Sequence, residues 1–405
     1  MGRWVGRRLG RWVGPHTGAA QRGRTTSARS ERIAPVTDFL DWLAVAAATR
    51  AERGLVRSTA VSAPGLLDLA GNDYLGLRVH PRVIAGAVEA ATAYGGGAGA
   101  SRLVTGTLPL HGELESALAT LTGSPAGLVF STGYAANLAV MTALADADTL
   151  VVSDAHVHAS LVDGSRLSRA AVAIARHNDV AHVRELLGGR PQRRAVVVVE
   201  SVYSVLGDAA PLADLVEVCR AHGAILVIDE AHALGVVGDR GQGMAAELGV
   251  TDHPDIVLTL TLSKSLGSQG GAVLAHPAVR EHLVNTARSF IYDTGLAPAA
   301  VGAAMGALDV LAEQPELAKV CRDNAAALAE ACGVEQPAGA VLSRAMAGPD
   351  EALAAVDRAR EGGIRIGCFR PPSTPDGSSR IRLTAHADHA DLGPALDVLR
   401  EIVGG

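Results

Sequence analysis

Five short apolar segments recur along the chain, and polar residues or a glycine follow each of them. They cover residues 127–130, 149–152, 195–199, 224–228 and 255–258. The segment at 195–199 reads Ala-Val-Val-Val-Val, and this lack of polar alternation is typical of a strand buried on both faces. Helical patterns lie between the segments, so the sequence predicts an α/β fold with a mainly parallel central sheet. In such sheets, ligands bind at the carboxyl ends of the strands.

Candidate functional residues follow these predicted strands. They are Gly133, Asp154, Glu200, Asp229 and Lys264. Lys264 stands out because the chain contains 34 arginines and only one other lysine, Lys319. A guanidinium does not lose its proton near neutral pH and cannot form a Schiff base, whereas a lysine amine can. Lys264 is therefore a candidate covalent amine. The alternative is an ordinary surface lysine without a catalytic role.

A covalent amine at this edge of the sheet fits a pyridoxal phosphate site if three further groups lie nearby. The pyridine nitrogen needs an acid, and Asp229 ends an apolar strand 35 residues before the lysine. The ring needs a flat group on its face, which His158 or His156 could supply. The phosphate needs free backbone N–H groups, which residues 131–134 could present at the start of a helix, with the Thr261 hydroxyl near the lysine.

Some of these residues also fit a nucleotide-binding motif, a metal site or a helix cap. Residues 229–232 (Asp-Glu-Ala-His) also match the Walker B box of a helicase, but the chain contains no GxxxxGK[ST] loop. His156 and His158 could be half of a metal site, yet no carboxylate or cysteine stands at ligand spacing from them. Asp154 could simply cap the next helix. We therefore expect no metal ion.

Six segments together resemble the α-oxoamine synthases, a pyridoxal phosphate family with the aspartate-aminotransferase-like fold (fold type I). The similarity runs from about Phe39 to the C-terminus. It rests on NDYLGL at 72–77, STGYAAN at 131–137, HASLVDG at 158–164, ESVYS at 200–204, DEAHALG at 229–235 and LSKSLGSQGG at 262–271. Members condense an amino acid with an acyl thioester and release CO2. The resemblance therefore implies an acyltransferase that uses pyridoxal 5'-phosphate.

Two segments are most similar to the members that condense L-alanine with a pimeloyl thioester in biotin biosynthesis. These are LSKSLGSQGG and Arg370-Pro371-Pro372-Ser373; glycine-using relatives carry Gly-Lys at the lysine and another segment in place of RPP. The chain departs from the family pattern at Val205-Leu206 and at residues 373–375. A 2-amino-3-ketobutyrate ligase, a 5-aminolevulinate synthase and an inactive scaffold of the same fold are the alternatives.

The resemblance also implies roles for single residues. Lys264 would hold the cofactor and move the proton at the alanine Cα, Asp229 would pair with the pyridinium, and His158 would stack on the ring. Ser204 and His232 would bond its phenolic oxygen. The other cofactor residues would be Gly133, Tyr134, Thr261 and Thr294. The alanine carboxylate would be held by Asn72 and Arg382, whose fork suits a carboxylate, and the acyl substrate by Arg57 and Ser373.

We expect four parts along the chain. Residues 1–36 form an extension with eight arginines and one acid, which is predicted to be disordered; a transit peptide or a nucleic-acid arm is the alternative. Residues 37–75 are an N-terminal segment and 76–300 a large cofactor-binding domain. Residues 301–405 are a smaller α+β domain that begins with one long helix at 301–330.

Charge and cysteine usage indicate the partners and the compartment. Beyond residue 36 the net charge is about −13, which argues against nucleic acid as a partner. No run of 18 apolar residues appears, so no membrane span is expected. Four widely spaced cysteines without a CxxC pattern indicate a reducing cytoplasm. The family resemblance implies a homodimer, and an acyl group carried by coenzyme A or by acyl carrier protein.

Overall fold

The computed structural model describes residues 38–404, except 58, 60, 62, 63, 372 and 375. The chain divides into two compact units between residues 63 and 64. The first contains helix α1 (Phe39–Glu52), which begins after Asp38 because the Asp38 carboxylate accepts a hydrogen bond from the Leu40 N–H. The disorder predicted for residues 1–36 lies outside the described residues.

The second unit holds the other elements. Its first half contains β1 (Leu67–Asp68), a 3₁₀ turn (Leu77–Val79), α2 (Pro81–Tyr94), α3 (Pro109–Thr122), β2 (Ala126–Phe130), α4 (Gly133–Leu144), β3 (Thr149–Asp154), α5 (Ala159–Ser168), β4 (Ala171–Ala175), α6 (Val180–Gly188), β5 (Arg194–Glu200), α7 (Leu212–His222) and β6 (Ile225–Asp229). Its second half contains α8 (Met244–Glu247), β7 (Ile256–Thr261), β8 (Gly271–Ala275), α9 (Pro277–Thr286), α10 (Arg288–Ile291), α11 (Pro298–Glu313), α12 (Glu316–Cys332), β9 (Val341–Ala345), α13 (Pro349–Glu361), β10 (Ile364–Arg365), β11 (Gly367–Phe369), β12 (Arg380–Thr384) and α14 (Gly393–Gly404).

A seven-stranded sheet forms the centre of this unit, in the order β2-β8-β7-β6-β5-β3-β4. Neighbouring strands are parallel except at β8, which runs antiparallel to both β2 and β7. The prediction of a mainly parallel sheet is confirmed. The sequence analysis overlooked the edge strand β4, whose side chains are mostly exposed and so lack the long apolar run that marked the central strands.

Helices cover both faces of the sheet, because successive side chains of a strand point to opposite sides. On β5, Val196 and Val198 pack into one apolar cluster with residues of α4, α5 and α9. Val197 and Val199 belong to the other cluster, which includes residues of α3, α7 and α11. The acidic side chains of β3, β5 and β6 stand instead at the last positions of these strands.

The long helix predicted at 301–330 is wrong, since two helices occupy this stretch. α11 ends at Glu313 and α12 begins at Glu316. Pro315 lies between them, and a proline inside a helix removes a backbone donor and clashes with the preceding turn. α11 packs closely along α2, where a Cβ on Gly86 would lie 2.3 Å from the Gly302 carbonyl oxygen.

The C-terminal part has its own small antiparallel sheet, in the order β11-β12-β9, and carries helices α12 to α14. This arrangement confirms its predicted α+β character, while the domain borders at residues 75 and 300 stay predictions. Strand β12 brings Arg382 to the main sheet, because its Nε donates to the Ser204 carbonyl just beyond β5 at 2.7 Å. Within the described ranges, no helix has the length and apolar character to cross a membrane.

Candidate active site

A cavity of about 260 Å³ lies at the carboxyl edge of the central sheet. Its walls come from the N-termini of α4 and α5 and from the ends of β5, β6 and β7. Seven residues to which the sequence analysis gave a cofactor role line it: Gly133, Tyr134, His158, Asp229, His232, Thr261 and Lys264. Residues that are up to 131 positions apart in the chain thus meet in one place.

Lys264 ends a chain of hydrogen bonds inside this cavity. Its Nζ is 2.9 Å from His232 Nε2, and His232 Nδ1 is 2.6 Å from the Tyr74 hydroxyl. The Tyr74 hydroxyl donates to Asn72 Oδ1 at 3.0 Å. Burial lowers the pKa of Lys264 to about 8, and burial together with the lysine charge holds the pKa of His232 well below its usual range. A sizeable fraction of the amine is therefore neutral near pH 8, which is the reactive form.

Asp229 is held in one orientation by two donors. Its Oδ2 accepts from Asn137 Nδ2 at 2.8 Å, and its Oδ1 accepts from the Ala231 N–H at 2.9 Å. Asn137 also donates to Ser160 Oγ at 2.8 Å, and this hydroxyl lies 2.7 Å from His158 Nδ1. The sequence analysis missed Asn137 as a functional residue, although its position four residues after Gly133 places both on one face of α4.

Glu200 lies beside Asp229, since the two residues are paired between β5 and β6. It is only 2% exposed, and its Oε2 accepts from the Ser204 N–H at 3.0 Å, while Oε1 has no partner among the described residues. Burial and the neighbouring Asp229 charge raise the pKa of Glu200 to about 8. Near neutral pH the Glu200 carboxyl is therefore mostly protonated.

The N-terminus of α4 opens into the cavity. Thr132 caps it, because its Oγ1 accepts from the Ala135 N–H at 3.0 Å. A Cβ on Gly133 would come within 3.0 Å of Thr261 Cβ, and one on Gly271 would come within 2.5 Å of the Gly133 nitrogen. Glycines thus let the helix start approach β7 and β8. The unpaired first N–H groups of a 12-residue helix favour an anion.

Arg382 and Asn72 are adjacent, as the predicted shared carboxylate site requires. Arg382 NH2 donates to Asn72 Oδ1 at 3.2 Å, and the guanidinium lies 5.3 Å from the centre of the Phe369 ring. Ser204 contributes main-chain groups here, its carbonyl to Arg382 and its N–H to Glu200. The side-chain role predicted for Ser204 stays a prediction.

Thr294 and Ser373, like Asn72, Ser204 and Arg382, do not line this cavity, and Arg57 lies in the first unit. The backbone of Thr294 pairs with Ser101 in an isolated bridge, next to Asp293, whose carboxylate accepts from the Ser131 hydroxyl. Ser373 is exposed in a turn, where its N–H donates to the Arg370 carbonyl. Arg57 follows α1 in the first unit. Their roles stay predictions.

The two histidines considered for the cofactor ring are separated by the structure. His158 lines the cavity and caps α5, with its Nδ1 accepting from the Ser160 N–H at 3.2 Å. His156 instead stacks on His177 at 3.7 Å. Asp154 does not cap α5, because its Oδ1 accepts from the His156 N–H and lies 2.8 Å from His177 Nδ1.

One group of metal-ligand type occurs among the described residues, at His386, Asp388 and His389. Its ligand atoms lie within 4.8 Å of one another. The two imidazole rings stack with centroids 4.6 Å apart and planes inclined by 14°. Since the lone pair of a ring nitrogen lies in the ring plane, nearly parallel stacked rings do not direct their lone pairs at one ion.

The lining of the cavity fits pyridoxal phosphate. It provides a buried amine at Lys264, an oriented carboxylate at Asp229 for a pyridinium nitrogen, and an imidazole at His158 for a ring face. The N-terminus of α4 and the Thr261 hydroxyl, which is 2.8 Å from Ser263 Oγ, suit a phosphate. These groups surround a space that is large enough for a small aromatic ring and its substituents.

Comparisons with known proteins agree with this geometry. The model of the aminotransferase class I and II family matches residues 64–399. The 8-amino-7-oxononanoate synthases of Mycolicibacterium gilvum and Mycolicibacterium smegmatis are each 53% identical over 369 residues, which cover 90% of this chain and 97% of theirs. Serine palmitoyltransferase from S. paucimobilis, solved with a bound PLP-myriocin aldimine, has a TM-score of 0.82 and 31% identity, covering 91% of this chain and 99% of that one.

A solved 8-amino-7-oxononanoate synthase from Francisella tularensis shares the fold, with a TM-score of 0.72 over 84% of this chain and 97% of that one at 24% identity. The family model covers most of the chain, and the mycobacterial relatives match it at high identity along nearly their whole length. The chain therefore belongs to the aminotransferase class I and II family and, within it, to the 8-amino-7-oxononanoate synthases.

Proposed function

We propose that this chain catalyses the pyridoxal phosphate-dependent condensation of L-alanine with a pimeloyl thioester to give 8-amino-7-oxononanoate, a step of biotin biosynthesis. In this reaction, the alanine carboxylate leaves as CO2 and the acyl carrier leaves as a free thiol. The observation that carries the proposal is the cavity in which the Lys264 amine and the Asp229 carboxylate meet. The names of the relatives at 53% identity supply the substrate pair.

The cofactor would be held by the groups that line this cavity. When bound, it supplies an electron sink that stabilises negative charge at the Cα of the amino acid. Lys264 would anchor it and would remove and return the proton at that carbon. Because the pKa of Lys264 is lowered to about 8, its amine can accept and release a proton near neutral pH.

The remaining residues would orient the reactants. Asp229, fixed by Asn137 and the Ala231 N–H, would keep a negative charge at the pyridinium nitrogen. Arg382 and Asn72 would bind the alanine carboxylate, a task for which a planar guanidinium is suited. Arg57 and Ser373 would contact the acyl substrate, as a thioester of coenzyme A or of acyl carrier protein.

An amino-acid profile tests the proposed function. With pimeloyl-coenzyme A or pimeloyl-acyl carrier protein, we expect alanine to release free thiol at least about 10-fold faster than glycine or serine. Glycine lacks the methyl group and serine adds a hydroxyl, and either change in a fitted pocket lowers kcat/KM by at least about that much. Faster release with glycine would instead favour a sister synthase. Absence of release with every amino acid and both thioesters would favour an inactive scaffold.

We also infer that two copies form a homodimer that shares the site. Large apolar side chains at 84, 88, 103, 104 and 292 are between 50% and 74% exposed, which is unfavourable unless another surface covers them. Thr294 and the glycine-rich loop at 95–102 are joined by the Ser101–Thr294 bridge, so this loop and the predicted cofactor contact form one surface.

The four cysteines form no disulfide, which supports a reducing cytoplasm as the compartment.

Mixing two inactive chains tests the shared site. A Lys264→Ala chain mixed with a Thr294→Ala chain is expected to recover up to roughly a quarter of wild-type activity, because some mixed dimers regain one complete site. Each variant must be impaired alone, and sedimentation measures the dimer. An active monomer in sedimentation, or impaired variants that never complement each other, would count against sharing.

A further inference from the structure

Both ring nitrogens of His177 face carboxylate oxygens. Nδ1 lies 2.8 Å from Asp154 Oδ1, and Nε2 lies 2.8 Å from Asp208 Oδ2. A neutral imidazole carries one N–H, so it could donate to only one of them and would turn a lone pair toward the other carboxylate. Only the imidazolium donates to both. The two contacts therefore favour a positive charge on His177.

The surroundings of this ring favour the same state. His156 stacks on it at 3.7 Å, and Tyr203 meets it edge-on at 4.5 Å. The His177 side chain is 18% exposed. Burial by itself would lower the pKa of His177, but the hydrogen bonds and charges of Asp154 and Asp208 outweigh burial and raise it to about 9. Burial and the His177 charge lower the pKa of His156, so a neutral ring stacks on a charged one.

His177 connects three segments that are distant in sequence. Asp154 ends β3, His177 follows β4, and Asp208 lies in the loop after β5. Asn178 strengthens the connection, since its N–H donates to Asp154 Oδ2 at 2.9 Å and its Nδ2 donates to Asp208 Oδ2 at 2.8 Å. Asn178 adopts a left-handed backbone with φ 55°, a conformation that asparagine tolerates better than most residues. The carboxyl ends of β3, β4 and β5 are thus tied together.

The loop after β5 carries this connection to the active site. The Tyr203 N–H donates to the Asp208 carbonyl at 2.9 Å, so Asp208 closes a turn that contains Ser204. Within the turn, the Ser204 N–H donates to Glu200 and the Ser204 carbonyl accepts from Arg382 Nε at 2.7 Å. Movement of Asp208 would therefore move the carbonyl that orients the Arg382 guanidinium.

We propose that His177 is a positioning residue, whose imidazolium bridges Asp154 and Asp208, fixes the turn at 203–209 and thereby orients Arg382 toward the substrate carboxylate. The identity of that carboxylate rests on the proposed function, whereas the bridge is a property of the folded chain. The ionisable groups that face the ring are Asp154, Asp208, His156 and Tyr203.

The pH dependence of the bridge follows from the direction in which folding shifts the pKa of His177. The pKa of His177 is higher in the folded chain than the ordinary value of 6.5. Its contribution to stability is therefore fully present below pH 6.5 and is lost as the pH rises through about 9. A neutral His177 would retain one of its two hydrogen bonds.

NMR titration of the histidine rings and amide hydrogen exchange test the bridge in the folded chain without substrates. We expect the His177 ring to titrate above pH 8, and His177→Gln to raise amide exchange at 203–209 at least about 10-fold. The reason is that an uncharged amide forms weaker hydrogen bonds with carboxylates than an imidazolium does, and it carries its N–H donors on one nitrogen and not on two that point apart. His282→Gln is the matched control, since this exposed ring bonds only the Ala143 carbonyl among the described residues and should leave exchange unchanged.

Steady-state kinetics test the positioning role. His177→Gln should raise KM for alanine about 10-fold and change kcat by less than about 3-fold, because Arg382 is misoriented while Lys264 is intact. If His177→Gln fails to fold, Asp208→Asn removes one carboxylate and keeps the ring, and should show the same increases in exchange and KM. A ring that titrates at or below pH 7, or folded variants with unchanged exchange and KM, would overturn the proposal. If the wild-type chain lacks alanine-dependent activity, the proposed function fails, and titration and exchange still decide the bridge.

Discussion

Replacing Lys264 with arginine is expected to lower kcat for alanine-dependent thiol release by at least about 10³-fold while the chain stays folded. A guanidinium cannot form a Schiff base with the cofactor, and it cannot accept a proton from the substrate Cα near neutral pH. It keeps the positive charge and can still donate to His232, which is 2.9 Å from the lysine amine. The loss should therefore fall on the reaction and not on stability.

The measurement combines activity with the yellow colour of the lysine-bound cofactor, and the chain offers a matched control. Lys319→Arg makes the same exchange at the only other lysine. Lys319 is exposed on α12 and pairs with Asp323 one helical turn away at 2.6 Å. Exposed ion pairs of this kind contribute little to stability, so the activity of Lys319→Arg should stay within about 2-fold of that of the wild type. A Lys264→Arg chain that keeps both colour and turnover would refute the role of the lysine.

The central part of the site could be predicted because parallel strands end at a common edge. Asp229 and Lys264 each follow an apolar strand, and the sheet places them in the same cavity whatever lies between them in sequence. The same argument located Glu200 without giving it a role. Its raised pKa depends on how deeply it is buried and on its pairing with Asp229, and neither can be read from the strand pattern.

Contacts made by loops and side chains after folding could not be predicted in this way. The Tyr74–His232 hydrogen bond joins residues 158 positions apart and depends on where the turn at 72–77 packs. The His177 bridge arises between the loops after three strands, of which the sequence analysis had found only two. Pro315 indicated a break between α11 and α12, but the alanine-rich pattern on both sides of it led to the prediction of one helix.

Replacing Asp229 with asparagine is expected to lower kcat roughly 10²–10³-fold while the fold is retained, because an amide has no charge with which to hold a proton on the pyridine nitrogen. The side chain has nearly the same shape, and its oxygen can still accept from Asn137 Nδ2, which is 2.8 Å from Asp229 Oδ2. The amino-acid assay measures the loss. Asp255→Asn is the control, since Asp255 is half-exposed at the opposite end of the sheet, just before β7.

A second readout separates the charge of Asp229 from its shape and needs neither cofactor nor substrate. The Asp229 carboxylate raises the pKa of Glu200 and also raises that of Lys264. In Asp229→Asn, both groups should therefore titrate at lower pH than the values of about 8 expected for the wild-type chain, which carboxyl and amine NMR can follow. The two shifts have the same sign because a nearby negative charge favours the protonated form of an acid and of an amine alike. Unchanged titration of both groups would mean that Asp229 does not act on them electrostatically, and unchanged kcat would mean that its carboxylate does not assist the reaction.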